Sequence, residues 1–186
     1  RMEFGPRALG ARSIIADPRS IDMQKNLNMK IKFRESFRPF APSILYNKIN
    51  EWFKINVSSP YMLLVSDIND EIKISSGIDE DHLYGLEKLK VPRSTIPSVT
   101  HVDFSARIQT VHPDTNPKYY KLIEKFYELT NCPILINTSF NIRGEPIVCS
   151  PKDAFKCFMG TNLDALIIEN FILLKKEQTI EFNNKF

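Results

Sequence analysis

The sequence predicts an α/β (α+β) domain: one sheet of short strands with capped helices against it. Three features lead there. Apolar runs bounded by Pro, Gly or small polar residues recur along the chain, the clearest at 134–136 after Pro133, and this pattern suits buried strands. Segments 117–130 and 151–159 join a capping signal to amphipathic spacing, which marks helices. The run at 134–136 then opens into Asn137, Thr138, Ser139 and Asn141. Such polar side chains sit where a buried strand exits, the position at which open α/β sheets hold ligands. They equally suit a turn that satisfies its own backbone.

In chain order, Arg7 and Arg12 flank Gly10 in a loop opened by Gly5-Pro6. Glycine lets an anion approach the backbone, so this loop suits phosphate recognition; the plainer alternative is a solvated basic surface. Residues 13–16 read as a strand. Asp17-Pro18 starts a helix with Ile21, Gln24, Leu27 and Ile31 on one face. Basic and aromatic residues alternate from 32 to 42. If extended, that segment places Lys32, Arg34 and Arg38 on one face, opposite Phe33 and Phe37, with Phe33, Phe37 and Phe40 as core anchors. Strands are expected at 43–46 and 61–65, and a short helix with Trp52 at 49–53.

Segment 67–94 is acidic with little periodicity and reads as an exposed insertion, with a helical turn near 83–89; His82 is a surface residue. A strand at 106–111 places Arg107, Gln109 and Val111 on one side. A cation there is costly unless it is paired or holds an anion; otherwise the strand is an edge and Arg107 lies in water. The helix at 117–130 has Asn116 as its N-cap, Pro117 as its first residue and Asn131 as its C-cap. Its expected apolar stripe is Tyr119, Leu122, Ile123, Phe126 and Leu129. Ser150 caps 151–159, strands follow at 164–168 and 171–174, and 176–186 is a polar tail.

The 186 residues are 42% hydrophobic and 25% charged with a net charge of +3. They support one domain with a real core and give no strong nucleic-acid or membrane signal. The 3 cysteines lack ligand spacing and read as reduced core thiols of a cytoplasmic protein. No run approaches the length of a membrane span. His82, His101 and His112 are scattered, so no metal site is expected. Nucleophile-elbow, Walker and dinucleotide motifs are missing. What remains is a set of Lys and Arg residues from separate segments and one amide-hydroxyl corner, a combination suited to phosphate binding without a P-loop. The chain begins inside a dense motif, and a preceding domain is expected.

Five stretches in order carry a resemblance: M-E-F-G-P-R-A-L-G at 2–10, K-F-R-E-S-F-R-P-F-A-P at 32–42, S-P-Y-M at 59–62, H-V-D-F-S-A-R-I-Q-T-V at 101–111 and N-T-S-F-N-I-R-G-E-P-I-V at 137–148. Together they resemble the C-terminal domain of O-carbamoyltransferases of the nodulation and antibiotic-tailoring type. The resemblance covers 1–175 and implies a YrdC-like fold, a twisted mixed sheet flanked by helices with an open basic cavity. It implies a reaction in two stages. Carbamoyl phosphate is cleaved to carbamate, which attacks the α-phosphorus of ATP, with Mg²⁺, to give carbamoyl adenylate and pyrophosphate. The metal-bearing N-terminal domain, with an iron-type centre, then transfers the carbamoyl group to an acceptor hydroxyl.

By this resemblance Lys32 and Arg38 meet the phosphates and carbamoyl phosphate, and Arg107 covers the α-phosphate or the carbamoyl group. Asn137 and Ser139 hold carbamoyl or phosphate oxygens, and Arg7 is a further candidate. Arg34, Asn141 and Arg143 are weaker choices that support from behind. Carbamate is already a nucleophile, so no general base is assigned. Two departures from the pattern stand out: Phe104-Ser105 where Gly and a small hydroxyl residue are expected, and Ala11 in place of Asn. The alternatives are an RNA-binding module of YrdC type and a scaffolding fragment that completes the N-terminal domain.

Overall fold

The computed structural model describes residues 3–75, 77 and 82–178. A small hairpin of β1 (Glu3–Phe4) and β2 (Arg7–Ala8) opens the chain. β3 (Ser13–Ala16), β4 (Ala41–Leu45), β5 (Leu64–Asp67), β6 (Ser105–Val111) and β7 (Ile134–Ser139) form one five-stranded sheet in the order β3-β7-β4-β6-β5. β4 and β6 run parallel, and the other neighbours are antiparallel. β8 (Ala165–Ile168) and β9 (Phe171–Leu174) make a second hairpin. The helices are α1 (Met23–Asn26), α2 (Ile49–Trp52), α3 (Pro117–Thr130) and α4 (Pro151–Met159). The mixed α/β sheet fold is therefore as the sequence predicts.

The period-two alternation of strands sorts the side chains. Ile14, Ile44, Ile108, Ile134 and Ile136 enter the main core with Phe53 and Phe158. On the opposite face Leu45, Val111 and Leu135 pack beneath Tyr119 and Ile123 of α3. The same alternation continues that face with Ser43 beside Gln109 and Ala41 beside Asn137. Arg107 and Ser139 follow on the next alternate positions. One sheet face thus passes from apolar under α3 to polar and then to cationic.

Local signals hold where they are strongest. The Asn116 side chain accepts a hydrogen bond from the Tyr119 amide, and Asn131 ends α3 at φ +56°, the left-handed cap that Asn tolerates. Ser150 and Asp153 form a capping box on α4. Gly10 lies against α3 at φ +107°, where a Cβ would stand 2.4 Å from the Tyr119 ring. The Leu9 carbonyl accepts from Gln109 Nε2 at 3.1 Å and Asn116 Nδ2 at 3.2 Å. The loop that carries Arg7 is thereby tied down on the sheet.

Several expectations need correction. The helix expected from Asp17-Pro18 starts at Met23, because Asp17 turns back to accept from the Arg19 amide and guanidinium. It continues as a π-helical turn, Leu27–Ile31, and Ile21 is exposed. The segment after it is not extended: Phe33 has φ +49°, Phe33 and Phe37 are exposed, and of that trio Phe40 alone is in the core. The strand expected at 61–65 is displaced to Leu64–Asp67 by a turn with Met62 at φ +56°. α3 buries a narrower stripe, with Leu122 and Leu129 exposed.

The acidic insertion is anchored at both ends. Ile68, Val91, Arg93 and Ser94 are buried, and Lys73 bridges Ser94. The helical turn within it is Gly85–Lys90, while residues 76 and 78–81 lie outside the described residues. Cys149 is exposed, unlike Cys132 and Cys157. Of the polar tail, 179–186 lies outside the described residues. No helix among the described residues is long and apolar enough to cross a membrane.

Candidate functional site

Where the sheet face turns polar, a cavity of about 430 Å³ opens, within the size range of small-molecule sites. Arg7, Arg34, Arg38 and Arg107 line it with Asn137 and Ser139. His101, Thr138 and Met62 complete much of its wall. No carboxylate side chain is among the lining residues.

Arg107 sits on β6, which lies between β4 and β5, so it is not the edge-strand residue that the sequence left open. Burial lowers its pKa, and Arg7 across the cavity adds to that shift. Among the described residues neither Arg7 nor Arg107 has a carboxylate partner. Half-buried cations that press on one another without a counterion favour binding of an anion. Arg34 also enters the cavity, with its guanidinium 4.9 Å from the Phe40 ring centroid. Burial depresses its pKa too, with a further contribution from Arg38. Arg38 is exposed and stands 3.8 Å from Glu35.

A residue missed in the sequence arranges this arc. Asn28, fully buried in the π-helical turn, accepts from Arg34 Nε at 2.6 Å. Its Nδ2 donates to the Ser36 carbonyl at 3.1 Å and the Arg38 carbonyl at 2.8 Å. One amide side chain therefore shapes the loop that presents Arg34 and Arg38. The sequence offered only an Asn within an expected helix, where its buried, loop-facing role leaves no local signature.

Lys32, expected to meet phosphate, does not line the cavity. Its Nζ points into the turn after β7 and donates to the Ser139 carbonyl at 2.7 Å and Oγ at 3.2 Å. It also reaches the Asn141 carbonyl at 2.8 Å and Oδ1 at 2.7 Å. Burial, with Arg34 contributing and Arg38 adding less, draws the ammonium down to about 7; the four oxygens around it act in the other direction. Asn141 is behind the wall with Lys32. Arg143 is outside the cavity, exposed and 3.9 Å from Glu35. The expected row of Lys32, Arg34 and Arg38 is thus split, because Phe33 reverses the chain between the first two.

The corner residues present acceptors. Ser139 Oγ donates to Asn141 Oδ1 at 2.6 Å, so its proton is engaged away from a ligand. Asn137 Nδ2 donates to Gln109 Oε1 at 2.8 Å, and Ser43 donates to that same oxygen at 2.5 Å. The other end of the amide, Asn137 Oδ1, is buried and has no hydrogen-bond partner among the described residues. An orphan buried acceptor on a cavity wall is a place for a ligand N–H. Phe104, one of the departures from the family pattern, is not among the residues lining the cavity. It has φ +64° and packs toward the main core, in a conformation that explains why Gly suits this position.

Comparison with known proteins gives the family. The family model described as "Carbamoyltransferase C-terminus" matches residues 1–175. An uncharacterized protein, sll1178, of Synechocystis is 58% identical over 96% of the chain and 29% of its own length. Nodulation protein NolO of Bradyrhizobium diazoefficiens is 39% identical over 97% of the chain and 30% of its own length. Nodulation protein U of Rhizobium tropici is 35% identical over 97% of the chain and 27% of its own length. The chain therefore spans less than a third of the length of these relatives. Both the matched model and the ordered motifs lead to one statement: this chain belongs to the carbamoyltransferase C-terminal family.

Proposed function

We propose that the chain is the carbamoyl-adenylate-forming part of a cytoplasmic O-carbamoyltransferase. Its substrates are ATP with Mg²⁺ and carbamoyl phosphate. The observation that carries this reading is the cavity itself: Arg7, Arg34, Arg38 and Arg107 converge on one hollow without a carboxylate. Phosphates supply the counter-charge that Arg7 and Arg107 lack among the described residues. The orphan Asn137 Oδ1 and the Ser139 oxygen suit the N–H donors of a carbamoyl NH₂ group.

The chemistry matches what this wall can do. A carbamate oxygen bonds to the α-phosphorus of ATP, and the bond to the bridging oxygen breaks with its electron pair leaving on pyrophosphate. Fixed guanidiniums stabilise the charge that develops, with little reorganisation during reaction. Mg²⁺ arrives, in this reading, on the nucleotide phosphates. In this reading the rest of the longer protein provides an iron-type metal site and receives the adenylate for transfer to an acceptor hydroxyl.

The test is pyrophosphate release from ATP by the purified protein. Release that requires carbamoyl phosphate is the expected result. Release without it, or none with both substrates, sinks the reading. The two alternatives have their own signatures: salt-sensitive RNA affinity with no dependence on Ser139, or a protein that binds neither substrate.

A further inference from the structure

His101 sits in the turn that leads into β6 and lines the cavity beside the arginines. Its backbone amide donates to the Ser105 carbonyl at 2.8 Å, closing the turn, and Phe104 occupies the left-handed position within it. The ring is held by a relay. His101 Nδ1 lies 3.0 Å from Ser105 Oγ. Ser105 Oγ donates to Asp103 Oδ1 at 2.7 Å, and the Ser105 amide donates to the same oxygen at 3.1 Å.

Those contacts decide the tautomer. Ser105 has one hydroxyl proton, and Asp103 accepts it. The Ser105 hydroxyl and amide hold the Asp103 carboxyl below the usual carboxylate range, so Asp103 has no proton to give. Ser105 Oγ can then only accept from the ring, and the proton sits on Nδ1. Nε2 is left with a lone pair. Burial keeps the imidazole below its ordinary pKa; Asp103 opposes this and Arg107 reinforces it. The other charges around the cavity are Arg7, Arg34 and Arg38, the last 3.8 Å from Glu35. His101 is the one imidazole among the residues lining this cavity, and the free lone pair on Nε2 can take up a proton.

We propose that His101 is the acid–base residue of the first half-reaction, the cleavage of carbamoyl phosphate by water. This rests on the substrate reading above. Carbamate needs no base to attack ATP, but the water that generates carbamate does. The water oxygen bonds to the carbamoyl carbon while its proton passes to Nε2. The bond from carbon to the phosphate oxygen then breaks, its electron pair leaves on phosphate, and Nε2 returns the proton to that oxygen. The products are carbamic acid, which ionises to carbamate, and hydrogen phosphate. No electrons change hands, and His101 ends neutral.

Phosphate release from carbamoyl phosphate, corrected for spontaneous decay and followed against pH, tests the proposal. The wild-type rate should fall as pH drops through a value below the ordinary histidine pKa of about 6.5. His101→Ala should lose roughly 10²-fold or more of the rate, lose that acidic limb, and recover part of the rate in added imidazole. Its calorimetric heat of carbamoyl phosphate binding should persist. Asp103→Asn keeps an oxygen for both Ser105 donors while removing the charge, so it should move the limb to lower pH. That variant keeps the test open should His101→Ala fail to fold. A His101→Ala protein with an unchanged rate and limb, or an Asp103→Asn limb that stays in place, overturns this proposal and leaves the substrate reading standing. A wild-type protein that neither binds nor cleaves carbamoyl phosphate overturns both.

Discussion

Arg107→Ala should lower the rate of carbamoyl-phosphate-dependent pyrophosphate release by about 10²–10³-fold, the scale set by loss of one preorganised donor to a transition state, roughly 2.7–4 kcal/mol. The size follows from where the guanidinium sits. It is half-buried on an interior strand, it feels Arg7 across the cavity, and it has no carboxylate partner among the described residues. With no carboxylate to pair with among the described residues, its charge is a cost to the folded protein. Removing it relieves desolvation and repulsion, so the melting temperature of Arg107→Ala should stay level or rise while activity collapses. A variant that melts lower and keeps its activity would make Arg107 a structural cation.

Lys32→Met should give the opposite signature. Its ammonium is the shared donor to two oxygens of Ser139 and two of Asn141, and it is buried. Removing it leaves those acceptors short of a donor in a place water barely reaches, a loss of about 2–4 kcal/mol of stability. Ser139, the last residue of β7, also lines the cavity. Pyrophosphate release should therefore fall at least about 10²-fold through misplacement of the corner. Chemical denaturation and the rate assay on the same sample separate the two variants: one loses chemistry alone, the other loses stability and chemistry together. Unchanged stability in Lys32→Met would mean that its ammonium is free to serve a ligand.

The contrast between these cations marks how far the sequence could be read. α3, α4, β3 and β7 were legible because their information is local: Asn116 and Ser150 as caps, Asn131 as a left-handed stop, and short apolar runs with polar ends. The arginine wall was legible in outline, since Arg7, Arg38 and Arg107 do share a cavity with Asn137 and Ser139. The segment after Ile31 was not. Its path is set by a π-helical turn, by Phe33 at positive φ and by the buried amide of Asn28. Alternation of charge and aromatics carries no trace of these. It is why Arg34, the weaker choice from sequence, faces the cavity and Lys32 does not.

His101 was passed over because a lone histidine has no ligand spacing. Its signal was the His101-Asp103-Ser105 alternation, which becomes a relay only when the turn closes on itself. In the same way, the resemblance implied that Asn137 and Ser139 hold carbamoyl or phosphate oxygens, whereas the hydrogen bonds around them leave each offering an acceptor. Residue chemistry alone does not fix which end of an amide is available; the partner does.

The central claim is that these dispersed arginines and the Asn137-Ser139 corner form one binding site for phosphate-bearing substrates. Calorimetric titration of the purified protein with Mg²⁺·ATP, alone and with carbamoyl phosphate, tests it most directly. The account predicts saturable binding at one site per chain with a dissociation constant between about 1 μM and 1 mM. Absence of saturable heat with either ligand at millimolar concentration would contradict it.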